Sequence, residues 1–243
     1  MKWLESCGLG LALCAGLGGG TAAQAGCDNT TGVPGEFYVC KPWPAEPELS
    51  ISARATPMPG SQTGDVSSYS LDVSLQDIDS GWTLASNYKD SALFSDAVAL
   101  QGLQIDTGRY RLNKEQRAFG LRVLYHHSSS AMPYEKSVLT LYRREDKEVL
   151  PLLEGLVMDE SHGEFGWGSE CEGRSRTLHR TLEVGSGQRN GYADLIVRTR
   201  EVSTRHFKGS DGCESRDLPP RNTVATLHYD GQRYALSKAL KGQ

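Results

Sequence analysis

The chain has 243 residues, and its 26 basic against 30 acidic side chains leave a net charge of -4, which excludes a broad electrostatic footprint for nucleic acid or anionic lipid. With 38% hydrophobic and 23% charged residues it has the composition of a globular protein. It holds no apolar run of the roughly 20 residues that a spanning helix needs.

Residues 1–25 read as a secretory signal, with Lys2, an apolar run over 8–17 and the small-residue site Ala23-Gln24-Ala25. Cleavage after Ala25 and delivery to the periplasm are expected. Gln24-Ala25-Gly26-Cys27 ends as a lipid-attachment site does, but Gln24 stands where a bulky aliphatic is usual, so a lipid anchor at Cys27 is the disfavoured alternative. Cys7 and Cys14 fall in the signal, which leaves Cys27, Cys40, Cys171 and Cys213 for an oxidising compartment. Four cysteines allow three pairings. The local ones, Cys27 with Cys40 and Cys171 with Cys213, each join one segment and are expected. No pair has C-x-x-C spacing, so zinc is not expected.

Residues 26–66 read as a disulfide loop and a proline-rich arm, ahead of an all-β domain over 67–243. Pro42, Pro44, Pro47, Pro57 and Pro59 stiffen an extended chain, and Leu49, Ile51 and Ala53 alternate between them as a short edge strand does. Tyr69, Leu71, Val73 and Leu75 alternate with Ser70, Asp72 and Ser74, the period of a half-buried strand. Asp77-Ile78-Asp79-Ser80-Gly81 opens like a calcium loop, yet Tyr88 stands where the closing glutamate belongs. Leu93, Phe94, Ala97 and Val98 share one side of the run 91–100, which predicts the only helix, with Ser91 as its cap.

From Leu103 the strands follow at short intervals: 104–105, 109–112, the alternating Phe119, Leu121, Val123 and Tyr125, then 138–143 and 148–153 around a polar turn. Asn190-Gly191 predicts a two-residue turn between 178–184 and 192–198, with Ala193, Leu195 and Val197 on one face. Asp230-Gly231 predicts a second such turn, which sets Leu227 opposite Tyr234 and His228 opposite Arg233. The class is all-β, a mainly antiparallel meander with hairpins in a sandwich or irregular barrel, with at most one short helix.

The runs Gly191-Tyr-Ala-Asp-Leu-Ile-Val197 and His228-Tyr-Asp-Gly-Gln-Arg-Tyr234, with Cys213 between them, resemble a pattern in uncharacterised exported proteins of Gram-negative bacteria. Tyr110-Arg-Leu112, Ala118 to Val123, Leu139-Thr-Leu-Tyr142 and 150–155 extend the likeness over roughly 103–236. Some proteins of this kind are similar to immunity partners of secreted antibacterial effectors, including lipases of type VI secretion systems. The resemblance implies a protein partner, a secreted toxin or envelope enzyme, and assigns no residue to it.

No catalytic or metal motif accompanies this pattern. G-x-S-x-G is absent, His126 and His127 are adjacent and so point to opposite faces, and His162-Gly163-Glu164 lacks zinc-protease spacing. Neither a catalytic residue nor a cofactor is nominated. A partner-binding surface is placed at Asp159, Glu160, Glu164, Phe165 and Trp167, where an aromatic anchor among glycines and carboxylates suits a basic partner. Its bland counterpart is a solvated loop with Trp167 on the neighbouring disulfide. A non-enzymatic periplasmic inhibitor or immunity protein is the expected function; a hydrolase with dispersed catalytic residues and a structural or small-ligand module are the alternatives.

Overall fold

A computed structural model describes residues 27, 33–60, 66–166 and 171–241. The secretory signal, the residues that decide between cleavage and lipid anchoring, and Trp167 lie outside the described residues. Twelve strands join in one large, mostly antiparallel sheet that does not close. They are β1 (Phe37–Pro42), β2 (Leu49–Pro57), β3 (Ser67–Asp77), β4 (Thr83–Ser95), β5 (Ala99–Asp106), β6 (Ala118–His127), β7 (Tyr134–Glu145), β8 (Glu148–Phe165), β9 (Gly173–Arg189), β10 (Tyr192–Gly209), β11 (Gly212–Asp217) and β12 (Arg221–Leu227). One helical turn, α1 (Lys238–Lys241), follows. No helix among the described residues is long and apolar enough to cross a membrane.

The branch of the sheet is β8. All along one edge it carries β7; its other edge meets β4 in parallel at Ser86 and Glu148, and β9 over residues 159–165. Strand β10 carries β9 on one side and, on the other, β12 and then β11 end to end. This branching makes two cores. Trp43, Ile51, Val73, Leu75, Phe119, Leu121 and Val149 pack in the first, while Leu139, Leu152, Leu156, Leu195, Val197 and Tyr234 pack in the second. The neighbours Leu152 and Leu153 are both buried, against strict alternation, because the β7 to β8 register slips between Leu139 and Leu141 and again between Leu141 and Tyr142. Such a bulge re-aims a strand's faces. Gly155, at φ 80°, supplies a backbone conformation that a side chain would strain.

The alternating residues Leu71, Val73 and Leu75 are buried in β3, as are Ala193, Leu195 and Val197 in β10. Asn190 and Gly191 take φ 50° and 84° and turn β9 into β10 as their type predicts. Three expectations are corrected. The run 91–100 is not helical: it ends β4 and starts β5, and Ser95 Oγ and Asp96 Oδ1 accept the N–H groups of Leu100 and Val98 at 3.0 and 2.8 Å, holding a turn. The alternation at Leu49 to Ala53 is no short edge strand, since β2 is paired on both sides, by β1 and β3. The second hairpin does not form in its expected register. Asp230 Oδ1 accepts the N–H groups of Gln232 and Arg233, both at 2.8 Å, which holds a wider loop whose only bridge joins Tyr229 to Tyr234. Leu227 instead faces Leu195 of β10, and His228 pairs with Asp194 at 2.7 Å.

Both local disulfides form, Cys27 with Cys40 and Cys171 with Cys213, at Cα separations of 5.3 and 4.9 Å. They mark a chain that folds in an oxidising compartment. Peptide mapping under non-reducing conditions is expected to return these two pairs. A lipid on Cys27 would overturn the first.

Candidate binding site

Cross-strand register builds a polar row at the far end of the sheet. Leu124 of β6 faces Ser137 of β7, which faces Asp159 of β8, which faces His179 of β9. Residues opposite one another share a face, so Asp159 gathers its neighbours: Ser137 Oγ donates to Oδ2 at 2.8 Å, Arg122 Nη1 reaches the same oxygen at 3.4 Å, and His179 Nδ1 lies 2.6 Å from Oδ1. Arg122 also holds Asp106 through Nε at 3.0 Å and Nη2 at 2.8 Å. The row and the next one, His126, Glu135, Ser161 and Thr177, line an open groove of about 630 Å³ with Tyr125 and Leu178.

Glu160 turns to the other face. It is 6% exposed, and it accepts from Tyr134 Oη at 2.7 Å and Arg176 Nη2 at 3.2 Å. Burial first, and then the Glu160 carboxylate, push the Tyr134 phenol well above its ordinary value, so it stays a proton donor. Beside this pair Arg180, 5% exposed, donates to the carbonyls of Val157, Ala239 and Leu240 at 2.7, 2.8 and 3.2 Å and to Thr199 Oγ1 at 3.1 Å. Burial lowers its pKa from the usual arginine value. This one side chain ties β8, β10 and α1 together.

Of the residues nominated from sequence, Asp159 and Glu160 are adjacent on β8; Asp159 shares Arg122 with Asp106 and meets His179, and Glu160 pairs with Arg176. Glu164 lies 3.7 Å from His162 Nε2, and Phe165 packs its ring 5.1 Å from that of His206. A Cβ on Gly173, the residue opposite Phe165, would stand 2.4 Å from Glu164 O, so only glycine admits this close pairing. The structure thus places Glu164 in a second groove, about 540 Å³, which Glu172, Arg174, Arg205, His206 and Phe207 also line. Asp159 and Glu160 line the first groove instead, and Trp167 lies outside the described residues.

The strand ends around the second groove have no core beneath them. Among the described residues of 161–177 and 198–226 no hydrophobic side chain is buried. The register hydrogen bonds and the Cys171–Cys213 bond hold this distal sheet where packing does not. Comparison with family models, with curated proteins and with solved structures found no match. No relative's residues can be carried over, so the site stands on its geometry. Removing the staple with Cys171→Ser and Cys213→Ser is expected to cost about 3 to 4 kcal/mol. Hydrogen exchange should show the loss at 204–217 before the cores; uniform exchange would mean that the distal sheet is held from below.

Sequence reasoning passed over the arginines that decide the site's charge, Arg122, Arg174, Arg176 and Arg205. The alternating Arg174-Ser175-Arg176 was the available signal, since it puts two cations on one face of a strand. Among the described residues no group of three His, Cys, Asp or Glu side chains converges as a metal site. One Ser, His, carboxylate order does occur: Ser128 Oγ lies 3.0 Å from His126 Nε2, whose Nδ1 lies 3.2 Å from Glu135 Oε1.

Proposed function

We propose that this chain is a non-enzymatic binding protein of the periplasm, an immunity or inhibitor protein that covers the active site of a secreted antibacterial toxin. The distal sheet carries that proposal. A coreless end of a sheet, open to solvent and locked by a disulfide, presents a rigid backbone surface at low ordering cost to a partner, which is what occlusion needs. The export-type N-terminus supports the periplasm, and the C-terminal pattern supports a toxin such as a type VI lipase effector as the partner. The test is functional: mature chain, with its disulfides intact, is added in equal amounts to a lipase effector captured on it from envelope extract. Loss of lipase activity supports the proposal; full activity in the complex sinks it.

A second reading, an ester hydrolase, is favoured by the Ser128, His126 and Glu135 order. The side chain of Glu135 is 69% exposed and that of His126 37%, so solvent screens the pair that would have to hold the imidazole, and binding stands first. A fluorophosphonate probe decides. Labelling of Ser128 that disappears in His126→Ala would replace the inhibitor by a hydrolase.

A further inference from the structure

Register places three arginines in one line across the distal sheet. Arg205 of β10 faces Arg174 of β9 on one side and Arg216 of β11 on the other. All three are exposed, and neighbouring strands lie about 4.8 Å apart, so three positive side chains are rooted along roughly 10 Å of one face. Like charges directly opposite one another repel. Among the described residues none of the three lies within ion-pair distance of a carboxylate: Arg216 lies 6.0 Å over the Phe207 ring, Glu160 and Glu201 pair with Arg176, and Glu164 and Glu172 line the groove without an ion pair to Arg174 or Arg205. The reverse face of the same strands carries Gly173, His206 and Ser215 in the adjacent row. The groove of about 540 Å³ opens beside Arg174 and Arg205.

We propose that Arg174, Arg205 and Arg216 form an anion-binding ladder that takes the carboxylates of a short acidic polypeptide segment, with Phe207 and the groove receiving a neighbouring side chain. This deepens the inhibitor proposal by naming the chemistry of its partner, and it takes the opposite sign from the one expected from the sequence, since the ladder's own charge is positive. Guanidinium groups grip carboxylates with two parallel hydrogen bonds, so a ladder of them gives geometry as well as charge. The segment is short because acids bound the ladder, Glu164 opposite Arg174 and Glu214 opposite Phe207 in the next row. With a net charge of -4 on the whole chain, a long polyanion or an anionic membrane meets repulsion on either side.

The probe is a fluorescein-labelled hexaglutamate peptide, titrated with the disulfide-intact mature chain at low salt and followed by anisotropy. Saturable binding is expected, about tenfold or more weaker in Arg205→Glu and largely kept in Arg205→Lys. Arg200→Glu, on the reverse face of β10, should leave it within about twofold. Arg205→Glu also puts an acid between two arginines, so it should melt no lower than the wild type, which separates lost binding from lost fold. An equal loss in Arg200→Glu would reduce the ladder to net charge and overturn it. So would absent peptide binding, or a preference for heparin or phosphatidylglycerol vesicles over the peptide. The two proposals fail separately: a peptide-binding ladder on a chain that leaves its captured lipase active keeps the ladder and discards the inhibitor, and the converse discards the ladder alone.

Discussion

Arg180→Met is expected to destabilise the fold by about 3 to 5 kcal/mol, because it removes the donor of two buried carbonyls and of a third that is part-buried, without giving the buried pair water in exchange. The carbonyls belong to Val157, Ala239 and Leu240, so the loss falls on the contact between β8 and the C-terminal turn. The aliphatic chain of methionine keeps most of the packing, which isolates the polar term. Urea unfolding measures the loss, and trypsin susceptibility at Lys238 and Lys241 reports whether the C-terminal turn has come away. A midpoint equal to the wild type would show that these carbonyls do not depend on the guanidinium.

Leu227→Asp should unfold the second core, at a cost exceeding about 4 kcal/mol. Leu227 is 6% exposed and faces Leu195, itself fully buried, so the new carboxylate would enter a site where its nearest strand partner is aliphatic. His228 offers no rescue, since it lies on the other face with Asp194. Thr226→Asp, one residue away and exposed, should stay within about 0.5 kcal/mol of the wild type. Thermal melting by circular dichroism compares the two. If both variants melt like the wild type, β12 does not lie on β10.

How the charges are spent also bears on partner choice. Asp159 and Glu160 read from sequence as free carboxylates, yet their cations come from strands far along the chain: Arg122 lies 37 residues before Asp159, and Arg176 lies 16 after Glu160. A local run of acids therefore does not tell which of its charges meet a cation once the sheet has formed. The same holds for the arginine ladder, whose members come from three strands.

What the sequence determined by itself was whatever depends on neighbours along the chain. The period of two in Tyr69 to Leu75 and in Tyr192 to Arg198 chose strands and their buried faces, and Asn190-Gly191 chose a turn because both residues tolerate positive φ. Cysteines close in sequence found each other for a similar reason, since a short loop is the less costly one to close. Tertiary structure decided the rest. Whether residues 91–100 coil or extend depended on the paired strands 67–77 and 118–127 that claim their two halves, and β12 paired with β10 because Leu195 offered an apolar partner while Asp230 drew its own loop wider. Register between distant strands fixes which charges meet, and no local pattern encodes it, which is why the fold class was legible in the sequence and the partners of these charges were not.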